Sequence, residues 1–564
     1  MKDLKWWQKT NVYQVYPKSF LDTTGSGTGD LNGVTAKLDY LKTLGVGAVW
    51  LTPVYPSPMV DNGYDIADFT GIDPSYGTMA DMERLIAEAK ERHISIVMDL
   101  VYNHTSDKHP WFVDSAASRD SAHADWYIWR DAKPNGEPPT NWRSIFGGSA
   151  WTWCEARQQY YLHTFASAQP DLNWENPAVR QALYEAANFW LGKGVGGFRI
   201  DAIVYIKKPP VFADGEPDSD DGMVNVHSMI ANTPGILDFL HEFKDKVFVG
   251  HDIFTVAEAN GVEPKDLDKW VGDKGAFDML FEFSHTTLEF PSGEIWTQAT
   301  GYTPNLIPRL KKVLTDSQKA TAHNGWYPIF FENHDQMRCV DHYFPAEADK
   351  KLAAKAMATL IMTLRGTPFI YEGQELGLGN VAWSSIQDYN DISSHGQYQL
   401  ALGEGKSESE ALRLVHRYSR DNARTPMQWT SEKNAGFTAG HPWLPVHADF
   451  REQCVESESL DENSVLSFYR RLAKLRMGGE VAEVLQRGDF AELLPKNASI
   501  MAFKRQLGTT AVYTLVNFSG EMRAYDLPEL TETKAISESI TGSQVGRLRP
   551  WEAVVYVGKA GAKS

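Results

Sequence analysis

The chain has 564 residues, too many for one hydrophobic core, and calls for two or three domains. Its 42% hydrophobic and 23% charged residues are those of a globular protein. The formal charge of −18 is repelled by nucleic acid and anionic lipid, so neither is expected as a partner, and no run of about 18 apolar residues offers a transmembrane helix.

The N-terminal stretch from Met1 to Gln14 has no apolar centre of the kind a secretion signal carries. The three cysteines, Cys154, Cys339 and Cys454, are far apart and odd in number, which fits free thiols in a reducing cytoplasm. Along the chain, short apolar runs predict strands at Val12–Tyr16, Ala48–Thr52, Ser95–Val101, Gly196–Ile200, Ile253–Ala257, Met279–Phe283, Tyr327–Phe331 and Pro368–Tyr371. Amphipathic helical stretches lie between most of them. One opens at Asn176-Pro177, an N-cap followed by proline at the first helical position, and runs toward Gly192 and Gly194. Eight β-then-α units predict an α/β fold closed as a (β/α)8 barrel.

Three segments exceed the length of ordinary connections, which is about 2–6 residues. Residues 104–175 read as a subdomain inserted after the third strand, and 374–430 as a second insertion, partly helical over Trp383–Ser409. From about residue 482 apolar and polar residues alternate, as in an antiparallel β domain. The expected division is a barrel over 1–103 and 176–481, the insertion over 104–175, and a C-terminal β domain over 482–564.

Reacting groups of such a barrel sit where its strands end. The third strand ends in Asp99-Leu-Val-Tyr-Asn103-His104 and the fourth in Arg199-Ile-Asp201. The fifth ends in Glu258, and the seventh in Asn333-His334-Asp335-Gln336. A structural core has no use for several carboxylates at matching strand ends. Glycoside cleavage does: it needs a proton donor for the leaving oxygen and a carboxylate for the oxocarbenium-like centre, about 5–5.5 Å apart in a retaining enzyme. Arg199 lies two residues before Asp201 on the same strand face, where a cation keeps Asp201 ionised. Glu258 must start protonated, with a pKa raised by burial and neighbouring acids. Asp335 would grip ring hydroxyls, and His104 and His334 would donate to others.

These segments resemble the signature regions of the α-amylase family of glycoside hydrolases. Three further motifs resemble its oligo-1,6-glucosidase branch, which includes dextran glucosidases, trehalose-6-phosphate hydrolases and sucrose isomerases. They are Asp61-Asn-Gly-Tyr64-Asp65, Gln169-Pro-Asp-Leu-Asn-Trp174 and Arg420-Asp-Asn-Ala-Arg424-Thr-Pro-Met-Gln-Trp429. The resemblance covers nearly the whole chain and implies a (β/α)8 barrel, an inserted subdomain after strand 3 and a C-terminal antiparallel β-sandwich. It implies Asp201 as nucleophile, Glu258 as acid/base and Asp335 as transition-state stabiliser. It also implies Tyr64 stacked under the terminal glucose, Asp65 and Arg424 closing the pocket at its non-reducing end, and His104, Gln169, Arg199 and His334 completing the glucose subsite. The residue after the nucleophile resembles a linkage switch, Val going with α-1,6 bonds and Thr with α-1,4 bonds or sucrose; here Ala202 offers no hydroxyl, which leans toward α-1,6.

Two positions depart from the branch pattern. The loop Asp22–Asp30 aligns with a calcium loop but carries Thr24 and Ser26 in place of Asn and Asp, so it is expected to hold no ion or a weak one; no cofactor is required. Met337 replaces a usual proline and is a candidate for the aglycone side. The expected activity is exo-hydrolysis of terminal α-1,6-linked glucose from short α-gluco-oligosaccharides by a monomer. A broad-specificity α-glucosidase and a sucrose isomerase or other transglucosidase are the alternatives. The single Arg338 after the seventh strand, where isomerases carry an Arg-rich loop, counts against the isomerase, and the lack of a Lys/Arg cluster counts against trehalose-6-phosphate hydrolysis. A non-catalytic transporter-subunit barrel would lack these carboxylates and carry a transmembrane helix.

Overall fold

Eight runs that are apolar on both sides cannot leave either face in water, and a closed parallel sheet covered by helices buries both. In the computed structural model, which describes residues 3–219, 221–262, 265–291, 295–323, 325–479 and 481–559, these runs form one parallel sheet. Its strands are β1 (Val12–Val15), β2 (Ala48–Leu51), β3 (Ser95–Val101), β4 (Gly197–Asp201), β5 (Phe254–Glu258), β6 (Met279–Phe281), β7 (Pro328–Ile329) and β8 (Thr367–Tyr371). Pairing runs β6-β5-β4-β3-β2-β1-β8-β7, so the sheet curls in chain order into a nearly closed barrel. All eight lie within one or two residues of the sequence expectation.

Strand residues spaced by two form the barrel interior, among them Val12, Trp50, Val97, Phe254, Val256, Met279, Phe281 and Phe369. Gly197 sits near its narrow end, where an added Cβ would lie 2.2 Å from the Phe254 carbonyl oxygen. Two residues further along, the same inward positions change from apolar to charged. Val97 is followed by Asp99, Gly197 by Arg199 and then Asp201, and Val256 by Glu258. Register fixes the levels: Asp99 pairs with Arg199, Val101 with Asp201, and Ile200 with Ala257.

The helix Pro177–Lys193 is capped as its sequence dictates. The Asn176 side chain accepts from Ala178 N–H, Pro177 holds the first position, and Gly194 takes the left-handed C-cap (φ 93°). The insertion after β3 holds the helix Pro110–Ala117 and a three-stranded antiparallel sheet of Trp129–Arg130, Gln159–Leu162 and Trp151–Cys154. It is tied to the loop after β4 through parallel pairing of Trp142–Arg143 with Val224–Asn225, a long-range link that local pattern did not announce. The segment after β8 carries two helices, Ile392–Gly403 and Glu408–Tyr418.

At the C-terminus β9 (Asp489–Leu493), β10 (Ile500–Leu507), β11 (Thr510–Asn517), β12 (Lys534–Glu538) and β13 (Ala553–Lys559) form an antiparallel sheet in the order β9-β10-β11-β13-β12. A two-stranded ribbon, Arg523–Ala524 with Arg547–Leu548, accompanies it. The first two and last five residues of the ranges expected for the outer domains lie outside the described residues. No helix among the described residues is long and apolar enough to cross a membrane.

Candidate active site

Arg199 is 1% exposed and holds three carboxylates together at the C-terminal ends of β3, β4 and β5. Its Nη1 donates to Asp99 Oδ1 at 2.9 Å and to Asp201 Oδ1 at 2.5 Å, and its Nη2 donates to Glu258 Oε2. Asp99 is fully buried and also accepts from Tyr64 Oη at 3.0 Å and Trp50 Nε1 at 3.3 Å. The side chains of Glu258 and Asp335 are 19% and 30% exposed, so they line the open part of the site while Asp99 lies beneath it.

The segment after β7 brings in His334 and Asp335. The ring of Tyr64 lies parallel to that of His334, 5° between planes and 5.2 Å between centroids. His334 Nδ1 is 2.7 Å from Gln14 Nε2, an amide donor, which leaves Nε2 to face Asp335 Oδ2 at 2.9 Å. Asp335 also meets Arg424 Nη2 at 2.8 Å and Arg420 Nη1 at 3.3 Å. Arg424 Nε donates to the His334 carbonyl at 2.9 Å, while its Nη1 is buried with no protein acceptor. His104 Nε2 lies 3.2 Å from the Tyr64 carbonyl and 3.2 Å from Gln169 Nε2.

The sequence-predicted residues Asp201, Glu258, Asp335, Tyr64, His104, Gln169, Arg199, Ala202, His334 and Arg424 are thus brought into one network. Asp65 is a correction. Its carboxylate accepts from the N–H groups of Val60 and Asp61 and from Ser57 Oγ, and it is fully buried, so it shapes the loop rather than facing the pocket. The neighbouring acid of the same motif takes the wall position: Asp61 pairs with Arg420 at 3.0 Å and accepts from Gln169 Nε2 at 3.1 Å. Asp61 and Arg420 stand at the outer ends of two motifs already noted, which was the only trace of them in the sequence. Met337 is buried in one apolar cluster with Trp296, Ile386, Tyr389 and Tyr418. Ala202 adopts a left-handed backbone (φ 44°, ψ 31°) that disfavours branched side chains, and its N–H is 3.4 Å from Glu258 Oε2.

Burial drives the titration of the site. It pushes Glu258 up to about 7 against the pull of Arg199, with Asp201 and Asp335 adding to the rise. Burial also pushes Asp201 up to about 7 and Asp99 up to about 6, again opposed by Arg199. Each of these three carboxyls is pushed up by burial and by its acidic neighbours, and the one guanidinium among them only partly offsets the rise. Burial works against ionisation of Asp335 as well, but His334, Arg420 and Arg424 hold it well below the usual carboxylate range.

The Asp22–Asp30 loop is closed by hydrogen bonds to its own two carboxylates. Asp22 accepts from the N–H groups of Thr24, Gly25 and Gly27 and from the hydroxyls of Thr24 and Thr438. Asp30 accepts from Thr23 and caps the following helix at Gly33 N–H. Donors surround both carboxylates, the reverse of the about six to eight oxygens that calcium requires. No group of three or more His, Cys, Asp or Glu among the described residues could hold a metal ion.

The comparisons with known proteins agree with this geometry. The family described as "Alpha amylase, catalytic domain" matches residues 14–485. The chain belongs to the α-amylase family. It is 42% identical to an oligo-1,6-glucosidase of Parageobacillus thermoglucosidasius and 42% identical to a trehalose-6-phosphate hydrolase of Bacillus subtilis, covering 98% of each chain in both cases. It also superposes on the isomaltulose synthase SmuA from Protaminobacter rubrum with a TM-score of 0.92 at 38% identity, covering 99% of this chain and 100% of that one. As a member of this family, the protein is a glycoside hydrolase.

Two outcomes follow. The kcat/KM–pH profile is expected to be bell-shaped. Activity should fall as pH rises through about 7, where a raised-pKa Glu258 loses its proton, and fall on the acid side as Asp201 gains one. A pH titration of aryl α-glucoside hydrolysis measures it, and a flat profile from pH 5 to 9 would contradict it. Excess EGTA is expected to leave the thermal unfolding midpoint within about 1 °C of the calcium-supplemented protein, since the protein's own donors already occupy both loop carboxylates.

Proposed function

We propose that the protein is an exo-acting retaining α-glucosidase that removes terminal α-1,6-linked glucose from short isomalto-oligosaccharides. The observation that carries the reading is the sharing of Arg199 by Asp201 and Glu258, beside a pocket walled by Asp61 and Arg420. A wall at one end admits only a terminal sugar. In the first step Asp201 attacks the anomeric carbon while Glu258 gives its proton to the leaving oxygen, forming a glucosyl ester on Asp201. In the second step Glu258 takes a proton from water, whose oxygen displaces Asp201 and releases glucose with its configuration retained. Asp335, held anionic, binds ring hydroxyls more tightly as the ring distorts. Arg199 steadies the Asp201 carboxylate.

The aglycone side favours a neutral sugar. The loops after β4, β5, β6 and β7 (202–235, 259–266, 282–305 and 330–349) hold only four basic residues, Lys207, Lys208, Lys265 and Arg338, and acidic ones far outnumber them. Lys207 is engaged by Glu175 at 2.6 Å, Lys208 by Asp171 at 2.6 Å and Arg338 by Glu332 at 3.0 Å. A phosphorylated aglycone would meet repulsion there. Arg338 is fully buried, with its guanidinium on Glu332 and on the carbonyls of Glu372 and Ala423, which speaks against its serving an acceptor sugar as an isomerase would need. Ala202 supports the α-1,6 preference by leaving the aglycone side of the nucleophile small and apolar. The three unpaired cysteines fit action in the reducing cytoplasm, and the protein acts there as a monomer.

Rates on isomaltose, maltose, sucrose and trehalose 6-phosphate, with product analysis, test the assignment. Isomaltose should lead in kcat/KM by about tenfold, a pocket discrimination of about 1–3 kcal/mol. Dominant maltose cleavage would remove the α-1,6 preference. Glu258→Gln should lower kcat on isomaltose by about 10²–10⁴-fold, with a smaller loss on nitrophenyl α-glucoside, whose leaving group needs no acid. Full activity in Asp201→Asn would overturn the mechanism.

A further inference from the structure

Arg420, the cation of the wall, is shared by three carboxylates. Asp61 Oδ1 is 3.0 Å from Nη2 and Asp335 Oδ1 is 3.3 Å from Nη1. The third is Asp391, which meets Nη2 at 2.7 Å and Nε at 2.8 Å, the shortest contacts of the set. Beneath the guanidinium lies the ring of Phe146, 4.9 Å from Cζ.

Asp391 is rigidly placed. It is fully buried and caps the helix Ile392–Gly403, accepting from the N–H groups of Ser393 and Ser394 and from Ser394 Oγ. Its own N–H and that of Asn390 donate to Asp421 Oδ2, and Asp421 follows Arg420 in sequence. Within the second insertion, the start of the helix Ile392–Gly403 and the Arg420 motif are therefore latched at both ends of one short contact. Asp391 thus holds the guanidinium from behind while its Nη groups reach Asp61 and Asp335.

The residues around this wall also line a groove of about 500 Å³, among them Val60 beside Asp61, Phe146 beneath Arg420, Phe165 against His104, and Ile392 and His395 after Asp391. We infer that Asp391 is a positioning residue: it holds Arg420 across the closed end of the glucose pocket and so keeps that pocket separate from the groove, excluding substrates that extend beyond the terminal sugar. This rests on the exo-glucosidase reading above.

The test compares wild type with Asp391→Asn and Asp391→Glu in the full chain. Substrates are isomaltose and two nitrophenyl α-glucosides, one free and one with O4 and O6 tied in a benzylidene acetal. Wild type is expected to cleave isomaltose and the free aryl glucoside and to refuse the blocked one. Asp391→Asn should raise KM for isomaltose at least tenfold, with a smaller fall in kcat, and should cleave the blocked glucoside. Asp391→Glu, which keeps the charge, should restore KM to within about threefold and again refuse the blocked substrate. A merely structural loss would lower kcat and the melting temperature without admitting the blocked glucoside. The inference is overturned if Asp391→Asn keeps KM within twofold and still refuses it. If Asp391→Asn does not fold, Asp391→Glu decides alone: blocked-substrate cleavage at unchanged charge overturns the inference, and exclusion with near-normal KM supports it. A wild type that releases no glucose from the non-reducing end would instead defeat the exo reading.

Discussion

The site depends on one buried guanidinium. Arg199 is almost inaccessible to water, and taking such a charge out of solvent costs several kcal/mol unless it is paired and hydrogen-bonded. Three carboxylates on three adjacent strands supply that pairing. The arrangement is reciprocal. Without Arg199, Asp99, Asp201 and Glu258 would be crowded acids in a dry barrel and would take up protons. Without the acids, Arg199 would be an uncompensated buried cation. With one cation among three acids, the pair that carries the proposed chemistry titrates near neutrality, where one carboxyl can be charged while the other holds a proton.

The barrel makes that cluster possible because side chains alternate along a strand. The inward positions at the base of β3, β4 and β5 are Val97, Gly197 and Phe254; Asp99 and Arg199 come next, level with Val256, and Asp201 and Glu258 follow. Apolar packing at one level therefore fixes the direction of the charged groups at the next. The second charge system lies at the other side of the pocket, where Arg420 and Arg424 meet Asp61, Asp335 and Asp391. It is built from loops rather than strands and owes its order to helix capping and to the latch between Asp421 and the 390–391 backbone.

Relatives that share about 40% of this sequence over the whole chain are described with different substrates. In the reading proposed here, the charges at the strand ends serve the glucosyl centre and leave the difference to the loops after β4 to β7, where acidic residues dominate in this chain, and to the small, left-handed Ala202 beside Asp201.

Eight strands, the capped helix at Asn176-Pro177 and the carboxylates at the strand ends were all legible in the sequence, since each depends on local pattern: apolar runs, caps, and a period of two. The wall was not. Asp61 and Asp65 stand four residues apart in one loop, and nothing local says which carboxylate faces the pocket. Tertiary structure decided it, because the Val60 and Asp61 N–H groups fold onto Asp65 while Arg420, 359 residues away, reaches Asp61. The surroundings of Met337 were likewise set by tertiary structure, which brings it together with aromatic residues from two distant loops. Sequence alone determined which chemical groups reach the mouth of the barrel, because strand geometry is periodic. Only the fold decided which of them close the pocket, because loop direction is set by partners far along the chain.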